Sequence, residues 1–166
     1  ILFVNPNWMG KDSQEKYLWT SSFFKDQNKI ISSVNNKIIF DNPDSLKGLN
    51  FIRIRGRKYK GLEELFATNK IRHIDVTKEE QSLQMLIRNR ADVTSQPSII
   101  SSYLIKSLNI KDQMFISPKP LFIFTRHMMI TPELKNVHIH LDNFVKKLKN
   151  NPKWKMILSK YGLNKS

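Results

Sequence analysis

The 166-residue chain contains no cysteine, which excludes disulfides, thiol nucleophiles and cysteine-ligated zinc. Glycine is scarce at five residues, and the phosphate-cradling patterns built on it, GxxxxGKS/T and GxGxxG, are missing. So is the GxSxG nucleophile elbow. Acidic side chains are few, 14 Asp and Glu against 28 Lys and Arg. The adjacent pairs Glu63-Glu64 and Glu79-Glu80 fall in helical segments where neighbours point apart, so they read as solvated charge near helix starts rather than an acid/base pair. None of the four histidines, His73, His127, His138 and His140, stands in an HExxH spacing. His138 and His140 diverge by about half a turn on a helix and cannot share a metal. These absences argue against an enzyme and leave no catalytic residue, metal site or cofactor to expect. No apolar run crosses a bilayer; Leu121 to Phe124 is typical and far too short. No leader pattern opens the sequence. It opens instead on Ile1-Leu2-Phe3-Val4, which reads as a buried strand. A domain rarely begins there, so the reading is of a longer chain whose true N-terminus, with a signal peptide removed, lies upstream.

What is present describes a globular chain. Forty per cent of the residues are hydrophobic and mean hydropathy is -0.43, enough for one compact domain with a core. The formal net charge is +14, with a pI near 10.0. Such a surface favours anionic partners: nucleic acid, anionic lipid or acidic ligands. The plainer reading is a basic solvated surface, because the cations are spread along the chain and cluster only at Arg53 to Lys60 and Lys146 to Lys160.

Strand-like and helix-like segments alternate. Asn5-Pro6-Asn7 turns the chain, Asp12 to Trp19 offers one or two helical turns, and Ile30 to Phe40 is extended with Asn35-Asn36 interrupting it. Asn42-Pro43-Asp44 is a turn. Phe51 to Arg55 reads as a strand, Gly56 follows, and Leu62, Leu65 and Phe66 take helical spacing, which predicts a helix from near Tyr59. Ile71 to Val76 is a strand, and Thr77 with Glu80 forms a capping box ahead of Leu83, Leu86 and Ile87. Ala91 to Ser95 is a third strand. Pro97 suits the first position of a helix whose buried stripe is Ile99, Ile100, Tyr103 and Leu104. Met114 to Ser117 and Leu121 to Thr125 are strands separated by Pro118 and Pro120. Thr131-Pro132-Glu133 starts a long helix, and Asn151-Pro152 starts a last one that Gly162 ends. The alternation predicts an α/β fold with a mostly parallel sheet flanked by helices.

Three constellations could bind something. In Arg55-Gly56-Arg57-Lys58-Tyr59, a strand ends, a glycine permits close backbone approach, and amides at a helix start would favour an anion. An ordinary turn with solvated charges is the alternative. Thr94-Ser95-Gln96 places polar side chains at another strand end, unless Ser95 or Gln96 merely caps the next helix. Trp19-Thr20-Ser21-Ser22-Phe23 flanks hydroxyls with aromatics, which could equally be core.

The stretch Asp44-Ser45-Leu46-Lys47-Gly48-Leu49-Asn50-Phe51-Ile52-Arg53-Ile54-Arg55-Gly56 resembles a segment of the periplasmic solute-binding proteins, family 3, which include the polar amino-acid binders of ABC importers. Glu80 to Asp92, Pro120 to Arg126, Leu141 to Tyr161 and Ser13 to Phe23 resemble further segments of that family in the same order. In the last of these, Lys16 replaces an arginine and Trp19-Thr20 replaces Phe-Ser. The resemblance implies the type 2 periplasmic-binding-protein fold, two α/β lobes with ligand trapped between them, here lacking the first part of lobe 1. It implies a lobe 1 remnant over 1–26, a hinge strand over 27–38, lobe 2 over 39–120, and a return strand with C-terminal helices over 121–166. It places ligand contacts at Trp19, Thr20, Ser21, Arg55, Gly56, Arg57, Lys58, Tyr59 and Gln96. The family's Gly-Thr-Thr turn is here Gly56-Arg57-Lys58. Its acidic residue for an α-ammonium falls at Pro97 or Gln96, so an anionic or neutral polar ligand fits better than an amino acid.

The function implied is a non-catalytic, periplasmic protein that captures a small polar solute for an ABC importer membrane component or a sensor, with a homodimer through the truncated lobe as a further expectation. A ligand-sensing module of a larger sensor or cell-wall enzyme is one alternative. A basic nucleic-acid-binding domain is another; against it, the aromatics sit in apolar stripes and not among the cations.

Overall fold

The computed structural model describes residues 1–161 (for Ser13, the backbone only), so Gly162, expected to end the last helix, lies outside the described residues. In chain order the elements are α1 (Lys11–Lys16), β1 (Leu18–Trp19), β2 (Phe24–Ser33), β3 (Asn50–Ile54), α2 (Glu63–Ala67), β4 (Arg72–Val76), α3 (Glu79–Ile87) and β5 (Val93–Pro97). They continue with α4 (Ser98–Ser107), β6 (Met114–Ile116), β7 (Phe122–Arg126), β8 (Met129–Ile130), α5 (Lys135–Leu148) and α6 (Pro152–Lys160). The described chain divides into two compact units, residues 27–123 and residues 1–26 with 124–166.

The unit 27–123 is built on a sheet of order β4-β3-β5-β2-β6, with β7 also pairing β2. β3 runs parallel to β4 and β5, while β2 runs antiparallel to β5 and β6. Four strands therefore share one direction and β2 opposes them, the mostly parallel α/β sheet that the alternating pattern predicts. Both faces of the central strands are covered, which is why β3 carries apolar residues at successive positions. Phe51 packs on one side with Tyr59, Leu62, Leu65, Phe66 and Val93. Ile52 and Ile54 pack on the other with Val76, Leu83, Leu86 and Ile105. On the first face the rings of Tyr59 and Phe66 meet Phe51 edge-on at 5.2 and 5.4 Å, the geometry that aromatic quadrupoles favour.

In the other unit, β1 pairs antiparallel with β8. Phe23, Met128, Ile130 and Val145 form its core, with Leu141, Leu148 and Trp154 packed against them. Asp26 is buried and forms an ion pair with Arg126 at 3.1 Å, and the Arg126 guanidinium lies 4.9 Å from the Trp8 ring and 4.7 Å from Phe124.

Several local expectations need correction. Residues 1–4 are not a buried strand: Ile1, Leu2 and Phe3 are exposed, and only Val4 bridges His127. The extended segment at 30–40 is really β2, which starts earlier at Phe24 and ends at Ser33. The helix after β3 begins at Glu63 instead of Tyr59, and lasts five residues. Thr77 and Glu80 form no capping box, since α3 starts at Glu79 and its cap Lys78 makes no side-chain bond. On α4 the buried residues are Ser98, Ser101 and Ile105, and Tyr103 is exposed. Pro97 ends β5 and caps that helix from outside. A 3-10 turn over Pro132–Leu134 precedes α5, which starts at Lys135.

Candidate functional site

At the carboxyl end of β3 the chain reverses through Gly56, whose φ is +78°, a conformation cheap only for residues without a Cβ. The Arg57 amide closes the turn on the Ile54 carbonyl at 3.0 Å, and the Arg55 amide reaches Val76 of β4 at 2.8 Å. The chain then folds back so that Tyr59 is buried, its hydroxyl accepting the Ile54 amide hydrogen at 2.8 Å. Burial pushes the Tyr59 phenol above its ordinary pKa. Tyr59 is thus part of the core and the turn's fastening. Arg55, Gly56 and Lys58 are exposed, and Arg57 is half-buried.

The turn does not open a helix, so the expected anion site at helix amides is not formed there. Glu63 and Glu64 occupy the first turn of the short α2, and the Glu63 carboxylate accepts the Gly61 amide hydrogen at 2.7 Å. The chain's own carboxylates take the place that an anion would need. Arg57 is directed elsewhere: one terminal nitrogen, Nη2, donates to the carboxylate of Glu79, the first residue of α3. The other, Nη1, is buried and without a hydrogen-bond partner.

Beside it lies the end of β5, where Thr94, Ser95 and Gln96 are completely buried. Thr94 donates to the Ile52 carbonyl at 2.9 Å. Gln96 Nε2 donates to the Glu79 carbonyl at 2.9 Å and to Ser82 Oγ at 2.7 Å, tying the strand end to the start of α3. Neither Ser95 nor Gln96 caps α4. Gln96 Oε1 and Ser95 Oγ, with Asn28 Oδ1 of β2, lack hydrogen-bond partners although buried. Asn28 stands opposite Pro97 and Ser95 opposite Ile30, which makes Asn28 and Ser95 diagonal neighbours across the strand pair. A buried polar group left without a partner costs about 1–3 kcal/mol, and four such atoms fall within one unit around the ends of β3 and β5.

Trp19, Thr20 and Ser21 belong to the other unit, and each is engaged there. Trp19 Nε1 donates to the Gln14 carbonyl at 3.1 Å. Thr20 Oγ1 donates to Ser21 O at 2.9 Å and accepts from the Met128 amide at 3.1 Å. The Ser21 amide donates to Asp142. Phe23 is core, as the plainer reading of that segment has it. Within 27–123 the structure gathers Arg55, Gly56, Arg57, Lys58, Tyr59 and Gln96 at neighbouring strand ends. Sequence reasoning missed Glu79 and Ser82 as the groups that orient Arg57 and Gln96, and it left Asn28 unassigned. Their only signal is polarity beside a strand end. Among the described residues no cluster of three or more His, Asp or Glu could hold a metal ion, and no helix is long and apolar enough to cross a membrane.

No family model matches the sequence, and no curated protein matches it. Solved structures do. A mutant of ArgBP from T. maritima superposes with a TM-score of 0.71 at 16% identity, covering 92% of this chain and 65% of that one. The fold is periplasmic-binding-protein-like. The GluR0 ligand-binding core from Nostoc punctiforme, in complex with L-glutamate, gives 0.70 at 15% identity over 92% of this chain and 68% of that one. An ancestral amino acid-binding protein described as a precursor of cyclohexadienyl dehydratase gives 0.70 at 12% identity over 92% and 65%. The chain therefore spans about two thirds of the length of these periplasmic-binding-protein-like structures.

Proposed function

We propose that the chain is a non-catalytic solute-binding protein that captures a small polar solute, anionic or neutral, between two lobes. The observation that carries this reading is the set of unpartnered buried polar atoms on Arg57, Ser95, Gln96 and Asn28, gathered around the carboxyl ends of β3 and β5. Ligands of open α/β sheets sit beyond the carboxyl ends of the strands, and buried groups without protein partners need another molecule to satisfy them. The fold, shared with proteins whose names give arginine, glutamine or L-glutamate as ligands, supports the same reading.

In this proposal residues 39–120 form the second lobe, with 27–38 and the return strand as hinge. Trp19, Thr20 and Ser21 supply contacts from the first lobe. A ligand touching both lobes favours the closed state by its differential contacts with it. Arg57 and Lys58 meet an anionic group, while the acceptor Gln96 Oε1 meets a ligand donor. The protein works in the periplasm and hands its solute to an ABC importer or reports it to a sensor.

The test is a thermal-shift screen against organic acids, amino acids and neutral polar metabolites at two salt concentrations. Stabilisation by one chemical class that is insensitive to salt and reduced at least tenfold in apparent affinity by Arg57→Gln supports the reading. Salt-sensitive binding of nucleic acid, with no response to any metabolite, overturns it and favours the charge-driven alternative.

A further inference from the structure

The carboxyl end of β5 has a further cation beside it. Lys29 of β2 stands directly opposite Gln96 in the antiparallel register of β2 with β5. Opposed residues of such a pair send their side chains to the same face of the sheet. Lys29 is half-buried, whereas the next four residues, Ile30 to Ser33, are all buried. It is therefore the position at which β2 leaves the core, level with the strand end beyond which ligands of open α/β sheets sit.

Nothing among the described residues neutralises Lys29. Its side chain makes no ion pair and no hydrogen bond there. Gln96 Oε1, across the strand pair, is an acceptor without a partner, so the ammonium does not turn inward to it. Burial lowers the Lys29 pKa below the ordinary lysine value. The other cations at these strand ends differ. Arg57 is paired with Glu79, and Arg55 and Lys58 are exposed, where solvent and salt screen them. An unpaired ammonium already part-way out of water gains most from an incoming anion. An incoming cation finds no such partner. Of the carboxylates around these strand ends, Glu79 is spent on Arg57, Asp75 on Arg53 and Glu63 on the Gly61 amide, while Glu80 is exposed.

We propose that Lys29 selects the captured solute, and that this solute is a small carboxylate carrying no ammonium group. The inference rests on the capture reading above and narrows it. The solute carboxylate meets the Lys29 ammonium at the strand end. An amino acid of the same size brings its own ammonium close to Lys29, where like charges oppose binding, and no half-buried carboxylate is left to hold it. A neutral amide leaves Lys29 unpaired.

L-lactate, L-alanine and lactamide are matched in size and differ in these charges. Each is titrated into the full chain carrying isotope-labelled lysine and followed by NMR, with the Lys29 signal assigned by its loss in Lys29→Met. The expected result is a saturable shift of the Lys29 signal with lactate, and an affinity for lactate at least tenfold above that for alanine or lactamide. Lys29→Met abolishes this preference, and Lys29→Arg, which keeps the charge, retains it. The inference is overturned if lactate leaves the Lys29 signal unmoved, if alanine binds as tightly as lactate, or if the preference survives Lys29→Met. Failure of capture reads differently. A solute from the thermal screen that Arg57→Gln weakens and Lys29→Met does not leaves capture standing and removes the role of Lys29, whereas a screen in which no metabolite acts, lactate included, removes both.

Discussion

A single carboxylate shows how much one residue can organise. Asp142 of α5 accepts the Ser21 amide hydrogen and pairs with Lys146 one turn on, at 2.7 Å. The Lys146 ammonium, followed by the Ser21 amide, holds its carboxyl down at about 2. A carboxylate whose pKa is lowered by folding stabilises the protein at any pH above its unfolded value. That contribution is lost as pH falls from about 4 towards about 2. The shift corresponds to about 2 kcal/mol, and discounting for the exposed lysine leaves about 1–2 kcal/mol. Asp142→Asn is expected to lower the unfolding free energy at neutral pH by that amount, read as a lower urea midpoint, with the gap to the parent closing by about pH 2. Midpoints measured at three pH values check this; a gap that stays constant with pH would mean that the amide contact, and not the charge, is what matters. Nothing in the sequence separates Asp142 from other helix carboxylates, since Ser21 is 121 positions away.

At the scale of elements, the turn that ends β3 rests on one glycine. Gly56 sits at φ +78°, and a Cβ added there would meet no atom within 4 Å, so a substitution is penalised by backbone conformation alone. Gly56→Ala should cost about 1–2 kcal/mol, and Gly56→Asn clearly less, because asparagine tolerates this region. Thermal melts of both variants measure the difference, and equal losses would point to a steric cause instead. This turn was legible in the sequence because a strand pattern ran directly into glycine. β3 was legible for the same reason and β4 from the strand-like run Ile71 to Val76, and the covering residues Leu62, Leu65, Phe66, Leu83 and Leu86 were legible from apolar spacing that states a buried face. The start of β2 was not: Lys25, Asp26 and Gln27 look like loop, and Asp26 lies inside in an ion pair with Arg126. The face of α4 was misread because small serines, Ser98 and Ser101, pack closely while Tyr103 turns outward. At the candidate site the residue types Arg57 and Gln96 stood out. Their orientation did not, because it depends on α3 beginning beside the end of β5, a relation between segments 17 positions apart.

At the scale of the molecule, the hydrophobic clusters respect the division into two units. Every residue of the two clusters around the large sheet lies between Ile30 and Leu121. Every residue of the third lies before Gln27 or after Ile123. The paired registers of β2 with β5, β3 with β5 and β3 with β4 also close within 27–123. A segment with its own core and its own sheet has what independent folding requires, at a size near the usual domain of about 100–150 residues. The segment 27–123, expressed alone, is therefore expected to unfold in urea as one cooperative transition seen alike by circular dichroism and tyrosine fluorescence, with a slope of about 1–3 kcal/mol/M. A broad transition, or probes that disagree, would show that the sheet needs the rest of the chain. If the segment does fold, it tests the capture proposal, because capture between lobes requires contacts from Trp19, Thr20 and Ser21, which it lacks. The solute that stabilises the full chain should fail to shift the melting temperature of the isolated segment.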